Sequence, residues 1–103
     1  LGELQKAISC FQKTIRIQSN HVGAYYNLGN AFKQLKDFQK AKEYYEKEIE
    51  IRPKNAKAYN NLGNVLKELG NLQKAINSYQ LALKYEPKNL FYYYHFSIIM
   101  IHE

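Results

Sequence analysis

Apolar side chains recur at spacings of three and four residues along most of this chain, with polar side chains between them. Tyr25, Leu28 and Phe32 show this spacing. It places the apolar side chains on one face of a helix and leaves the other face to water. The pattern predicts an all-α chain whose helices run approximately over residues 3–18, 21–35, 38–51, 55–69, 72–85 and 90–101.

The pattern repeats with a period of 34 residues. The stretch from Ala24 to Pro53 recurs from Ala58 to Pro87, and each landmark lies 34 residues from its counterpart. Such a period is typical of helix pairs stacked into an array. We predict one array over residues 1–103, with the second half of a repeat at 1–21, complete repeats at 22–55 and 56–89, and the first helix of a further repeat at 90–103. A first residue other than Met, inside a repeat, favours a piece of a longer array.

The last predicted helix has the weakest pattern. Leu90 to Ile101 is apolar nearly all round and rich in residues that favour strands, although its place in the 34-residue frame predicts a helix. One preceding repeat cannot cover so many apolar side chains, and large apolar patches are rare on monomers. We therefore predict a homo-oligomer that forms through residues 90–101.

Two glycines lie inside predicted helices, where glycine costs about 1 kcal/mol relative to alanine. Gly29 precedes Ala41 by twelve residues, and Gly63 precedes Ala75 by the same twelve. We expect each pair of small residues to let two antiparallel helices approach closely.

The helix ends carry capping and turn residues. The predicted N-caps are Ser19 or Asn20 for the second helix, Asn55 for the fourth and Asn89 for the sixth. Gly70 can take the left-handed conformation at a helix C-terminus without steric cost, whereas Lys36, at the same place in the preceding repeat, carries a modest penalty there.

These residues together resemble the tetratricopeptide repeat. The matching residues are Tyr25, Leu28, Gly29, Phe32, Ala41, Tyr45 and Pro53, then Tyr59, Leu62, Gly63, Leu66, Gly70, Ala75, Tyr79, Ala82 and Pro87. The departures are Ser19, Lys36, Glu48 and Ser97. The resemblance implies a right-handed superhelical solenoid of antiparallel helix pairs. It also implies a protein–protein interaction module, in which the first helices line a concave groove that holds an extended peptide or a partner helix.

Polar residues beside the apolar stripe of the first helices are the candidate peptide ligands. They are Tyr26, Asn27, Asn30, Lys33, Lys57, Asn60, Asn61, Asn64 and Lys67. Asparagine recurs in both repeats although it is a mediocre helix former. Its amide offers a donor and an acceptor, which suits the N–H and C=O groups of an extended backbone. The alternative is a solvated asparagine shared by two copies of one duplicated segment.

Two family resemblances bear on these candidates. The segment NLGN at 27–30 and 61–64 is similar to repeats of the protein O-GlcNAc transferase type, whose asparagines line the groove. The carboxylate clamp for acidic chaperone C-termini is matched only at Asn30 and Asn61. Tyr26, Phe91 and His95 hold its other positions. Tyrosine and phenylalanine supply no cation, and an unperturbed histidine is mostly neutral at pH 7, so we expect no clamp.

Charge and composition narrow the partners. The chain carries 15 Lys and Arg against 9 Asp and Glu, a net charge of +6. The basic residues are dispersed, and Arg16 and Arg52 are the only arginines, which favours a solvated surface over a nucleic-acid site. We expect a protein or peptide partner, with an acidic preference from Lys33, Lys57 and Lys67. A membrane span needs about 20 apolar residues, more than any stretch here provides.

The sequence contains no motif for catalysis. No P-loop, nucleophile motif or metal-ligand spacing occurs, so we expect no enzyme, cofactor or metal in this region. The alternatives are a repeat region of a larger enzyme, such as a protein glycosyltransferase, and a purely structural spacer. Cys10 is the only cysteine and is expected to pack as a small residue. Its solitude fits a reducing compartment, which favours an intracellular, cytoplasmic location.

Overall fold

The computed structural model describes residues 2–101, and six helices account for most of them. They are α1 Gly2–Ile17, α2 Ala24–Gln34, α3 Phe38–Ile51, α4 Ala56–Glu68, α5 Leu72–Tyr85 and α6 Leu90–Ile101. The all-α prediction is confirmed for the described part of the chain, and the helix predicted at the end is present. The predictions for residues 1, 102 and 103 lie outside the described residues.

Each helix packs mainly against its neighbours in sequence. Contacts join α1 to α2, α2 to α3, α3 to α4, α4 to α5 and α5 to α6, and α2 also touches α4. Side-chain hydrogen bonds link α2 to α4 and α4 to α6. The first helices α2, α4 and α6 therefore form one layer, and α1, α3 and α5 form the other.

The interior of each helix pair is filled by one tyrosine ring against a glycine. Tyr45 and Tyr79 are fully buried. A Cβ added to Gly29 would lie 2.5 Å from the Tyr45 ring, and one added to Gly63 would lie 2.6 Å from the Tyr79 ring. The ring of Tyr45, rather than Ala41, is thus the nearest group that a side chain at Gly29 would meet, and Ala41 is buried in the same core. The glycine makes room for an aromatic ring that lies against the helix backbone.

The start of α2 differs from the prediction. The helix begins at Ala24 after Gly23, whose φ of 96° is left-handed, and no side chain caps it. The predicted cap by Ser19 or Asn20 is therefore wrong. The Asn20 carbonyl accepts a hydrogen bond from Arg52 Nη2 at 2.7 Å, so the chain between α1 and α2 is held from α3 instead.

The other predicted caps and turns are confirmed. Asn55 Oδ1 accepts from the Ala58 N–H at 3.3 Å, and Asn89 Oδ1 accepts from the Phe91 N–H at 3.0 Å. Lys36 and Gly70 both have positive φ, at 62° and 84°. Lys36 therefore carries the steric cost that Gly70 avoids, about 1–2 kcal/mol.

Glu48 is a buried acid that hydropathy does not predict. Its side chain accepts hydrogen bonds from Arg52 Nη1 at 3.0 Å and from Asn55 Nδ2 at 2.9 Å. The corresponding residue of the next repeat is Ala82, which is also buried. The first repeat thus holds an ion pair where the second holds a methyl group, and the paired cation makes that burial tolerable.

Candidate peptide-binding face

Three hydrogen bonds converge on Asn30 and Tyr26 where α2, α3 and α4 meet. The Tyr45 hydroxyl donates to Asn30 Oδ1. Asn61 Nδ2 donates to the same oxygen at 3.1 Å and to the Tyr26 hydroxyl oxygen at 3.0 Å. Burial, with Tyr26 nearby, raises the pKa of Tyr45, so its hydroxyl keeps its proton and acts as a donor. We call these four residues the asparagine level.

The two amides of the asparagine level leave one nitrogen donor and one oxygen acceptor open. Within residues 2–101, Asn30 Nδ2 and Asn61 Oδ1 have no hydrogen-bond partner, and neither atom is buried. Because Asn30 Oδ1 already accepts two bonds, its amide is fixed with the NH₂ group pointing away from Tyr45. The same bonds hold the Asn61 amide with its oxygen open.

The glycine and the second asparagine of each NLGN segment contact the same tyrosine. The Tyr45 ring crosses the bare Cα of Gly29, and its hydroxyl reaches Asn30, the next residue. Tyr79 crosses Gly63 and donates to Asn64 in the same way. Asn30 and Asn64 therefore have a structural task inside the fold in addition to the proposed binding task.

The next level, where α4 meets α6, has different chemistry. Asn60 Oδ1 lies 2.9 Å from His95 Nδ1. An amide oxygen only accepts, so this contact places the proton on Nδ1 and leaves Nε2 facing elsewhere. His95 stands 34 residues after Asn61 and takes its place in the frame. We call Asn60, Asn64, Tyr79 and His95 the histidine level.

Lysines surround the histidine level. Lys33, Lys67 and His95 line a cavity of about 320 Å³ together with Asn64. Partial burial, then Lys67 and Lys33, lower the pKa of His95, and burial lowers the pKa of Lys33. At neutral pH His95 is therefore uncharged, while the two lysines supply positive charge.

The structure brings six of the nine predicted ligands together in two groups of three. Tyr26, Asn30 and Asn61 come together in the asparagine level. Lys33, Asn64 and Lys67 come together around the cavity. Asn60 is buried with its oxygen bonded to His95, Asn27 is exposed, and Lys57 is exposed and lines a separate cavity with Tyr26.

Three residues of the site were not among the predicted ligands. Tyr45 and Tyr79 orient the asparagines from the second helices, and sequence spacing alone does not show where their hydroxyls point. The sequence predicts His95 only as a residue that does not supply the cation of the clamp. Its offset of 34 from Asn61 is the sequence signal that it takes the place of Asn61 in the next repeat.

Other chemistry is sparse. Within residues 2–101 no helix is long and apolar enough to cross a membrane, and no three His, Cys, Asp or Glu side chains form a metal site. Cys10 is exposed, so the prediction that it packs inside is wrong. The adjacent Phe11 turns toward the core, which leaves Cys10 on the outer side of α1.

A family model and several solved structures match the chain. The tetratricopeptide repeat model matches residues 1–54 and 24–85. A search of the curated proteins finds no match. MamA 41-end from Desulfovibrio magneticus RS-1 superposes with a TM-score of 0.89 at 27% identity, over 99% of this chain and 58% of that chain.

Two further structures show the same fold. The Arabidopsis OM64 TPR domain has a TM-score of 0.93 at 26% identity, covering 99% of this chain and 84% of that chain. The first TPR of Spaghetti (RPAP3), bound to the HSP90 peptide SRMEEVD, has a TM-score of 0.93 at 24% identity, over 98% and 80%. The predicted right-handed solenoid of antiparallel helix pairs is thus confirmed. This chain spans less than two thirds of the MamA chain.

Proposed function

The chain belongs to the tetratricopeptide repeat family, and from that premise we propose that it holds an extended peptide against the layer formed by α2, α4 and α6. Arrays of stacked helix pairs curve, and their concave surface serves for binding. In this chain that layer carries the polar side chains with open hydrogen-bonding atoms. The resemblance to repeats of the O-GlcNAc transferase type points to the same face and stays a prediction.

The observation that carries the proposal is the open donor and acceptor of the asparagine level. Asn30 Nδ2 fits a peptide C=O, and Asn61 Oδ1 fits a peptide N–H. An extended backbone presents both groups without regard to side chains. This pair therefore favours recognition of the backbone itself, with sequence preference added by neighbouring residues.

The amides are oriented before any peptide arrives. Binding usually loses free energy to the ordering of side chains, about 0.5–1.5 kcal/mol for each flexible one. Tyr45 and Tyr26 already hold Asn30 and Asn61 in place. Each hydrogen bond between the peptide and one of these amides can then contribute about 0.5–1.5 kcal/mol, the net value of an ordinary hydrogen bond.

The remaining predicted ligands have secondary parts in this proposal. Asn27 and Lys57 are exposed and extend the face beyond the asparagine level. Asn64 offers its Nδ2 one repeat further along, because its oxygen accepts from Tyr79. Asn60 acts through His95 rather than by direct contact, since His95 occupies its oxygen.

A peptide-library screen tests the proposal. Wild type and Asn61→Ala are compared with Asn77→Ala, a matched control on α5 whose amide is exposed and away from the face. Loss of the open Asn61 Oδ1 should weaken the binding of selected peptides by about 2- to 13-fold, the value of one hydrogen bond. Equal binding by all three proteins would remove the asparagine level from the mechanism.

A second copy of the chain is a further proposed partner, because α6 exposes apolar side chains. Leu90 is 81% exposed, Phe91 74% and Tyr94 63%. Sedimentation of this chain at micromolar concentration should show a species larger than a monomer, and Phe91→Glu/Tyr94→Glu should return it to monomer. A wild-type chain that stays monomeric would contradict this interface.

The larger setting is also a proposal. The chain spans only part of the MamA chains, which fits a repeat region of a larger protein. The glycosyltransferase setting rests on the NLGN resemblance alone, and a spacer between other domains is the alternative. The spacer alternative gives no saturable peptide binding in the screen. The solitary, exposed thiol of Cys10 fits the proposed cytoplasmic location.

A further inference from the structure

The cavity at the histidine level collects basic side chains from three helices. Lys33 comes from α2, Lys67 from α4 and His95 from α6, and the cavity volume is about 320 Å³. One carboxylate, Glu68, also lines it. The walls between these groups include apolar Phe38 and Val65, which limit the water available to solvate the charges.

The two lysines are partly buried without an acidic partner. Within residues 2–101 neither Lys33 nor Lys67 forms an ion pair. Burial disfavours an unpaired ammonium, which is why the pKa of Lys33 is lowered. An anion placed in the cavity would offset that cost, and no side chain of the described residues supplies one within ion-pair distance.

His95 adds a group whose charge depends on pH. Its Nδ1 is held by Asn60, and Nε2 has no partner within residues 2–101 and is not buried. The ring faces Tyr79 from α5 and Tyr94 from its own helix, with Lys33, Lys67 and Glu68 around the cavity. Neutral His95 offers a lone pair at Nε2, whereas protonated His95 offers a donor and a charge.

We propose that this cavity seats a carboxylate of the bound peptide, with Lys33 and Lys67 as constant cations and His95 as a third that forms in acid. The proposal rests on the proposed function, because it assigns a chemical preference to the same face. It places the acidic group of the peptide beside the asparagine level, where the peptide backbone is proposed to bind. The cavity differs from the carboxylate clamp for chaperone C-termini because its cations are lysines of α2 and α4. Affinity should rise as the pH falls from 7.5 to 5.5, since His95 gains charge while carboxylates stay ionised.

The test uses small probes and NMR of the isotope-labelled chain. Nα-acetyl-glutamate N-methylamide carries only a side-chain carboxylate, and Nα-acetyl-alanine carries only a terminal one. Either probe should shift the His95 and lysine signals saturably and raise the pKa of His95, and the responding probe identifies the source of the carboxylate. Nα-acetyl-glutamine N-methylamide, which has no charge, should not.

Charge variants locate the seat. Lys33→Met/Lys67→Met keeps an unbranched apolar side chain at both positions and removes both charges. It should weaken the binding of the acidic probe by about fivefold or more. Lys13→Met/Lys74→Met removes the same amount of charge from exposed positions on α1 and α5, and it should leave the affinity for the acidic probe unchanged. Equal weakening in both variants, or equal shifts by the glutamine and glutamate probes, would overturn the proposal.

The result stands apart from the peptide screen. The probe fills the cavity without using the asparagine level, so Asn61→Ala should still bind it. If the chain binds the acidic probe but no extended peptide, the carboxylate site is supported and the proposed peptide-binding function is contradicted. If it binds extended peptides but gives no response to the glutamate probe, the function is supported and the carboxylate site is contradicted.

Discussion

The asparagine level and the histidine level occupy the same places in the 34-residue frame, yet they offer different chemistry. In both, a buried tyrosine donates to an asparagine of the first helix. At the first level Asn61 adds a second bond to that asparagine, whereas at the second level His95 bonds Asn60 instead. The shared tyrosine and glycine thus belong to the fold, and the residue offset by 34 sets which hydrogen-bonding groups the face presents.

The largest expected effect tests the shared part of the two levels. Gly29→Ala and Gly63→Ala place a methyl group within 2.5–2.6 Å of a fully buried tyrosine ring. Overpacking of this kind costs about 1–3 kcal/mol. Replacing glycine by alanine inside a helix gains about 1 kcal/mol, which offsets only part of a cost near the upper end of that range. Urea denaturation should show both variants destabilised to a similar extent.

Gly2→Ala is the control for this prediction, since no atom beyond its chain neighbours in residues 2–101 lies within 4 Å of the added methyl group. It should leave the free energy of unfolding nearly unchanged. If Gly29→Ala were as stable as Gly2→Ala, the tyrosine ring would not lie against the backbone of α2 as described.

A smaller effect separates the two levels. Tyr45→Phe and Tyr79→Phe each remove one hydroxyl donor and should each cost about 1 kcal/mol of stability. Asn30 keeps its bond from Asn61 after the first change, whereas Asn64 loses its only protein donor within residues 2–101 after the second. Side-chain ¹⁵N relaxation should therefore show a newly mobile amide at Asn64 and a still ordered one at Asn30. Equal mobility at both would contradict the distinction.

The smallest effect concerns pH. The folded-state pKa of His95 lies below its ordinary value of 6.5, so the unfolded chain binds this proton more readily. The contribution to stability is present above pH 6.5 and is lost as the pH falls below it. His95→Asn should remove this part of the pH dependence between 7.5 and 5.5. An unchanged profile would show that the ring is as well solvated in the fold as in the unfolded chain.

Much of the fold could be predicted because it repeats. The landmarks from Tyr25 to Pro53 and their copies predicted the helices, and α3 and α5 begin and end where the pattern placed them. The start of α2 could not be predicted, because Gly23 adopts a left-handed conformation that composition does not reveal. The buried Glu48 also escaped prediction, since its pairing with Arg52 depends on packing around the end of α3.

The site was predictable in its residue types but not in its connections. The spacing predicts Asn30 and Asn61 as ligands, and the structure brings them together. Their orientation depends on Tyr45, fifteen residues away on another helix, whose reach follows from the missing side chain at Gly29. The sequence gives His95 only the ordinary pKa of a histidine, whereas the burial and the lysine neighbours that lower this pKa exist only in the folded chain.

The central claim is that Asn30 and Asn61 bind the backbone of an extended peptide, and a backbone ester tests it most directly. In the tightest peptide from the screen, each amide N–H is replaced in turn by an ester oxygen, which removes one donor and leaves the side chains intact. Every ester peptide is measured against wild type and Asn61→Ala. At one position the two changes should show a coupling of about 0.5–1.5 kcal/mol, because both remove the same hydrogen bond. Additive losses at every position would contradict the claim.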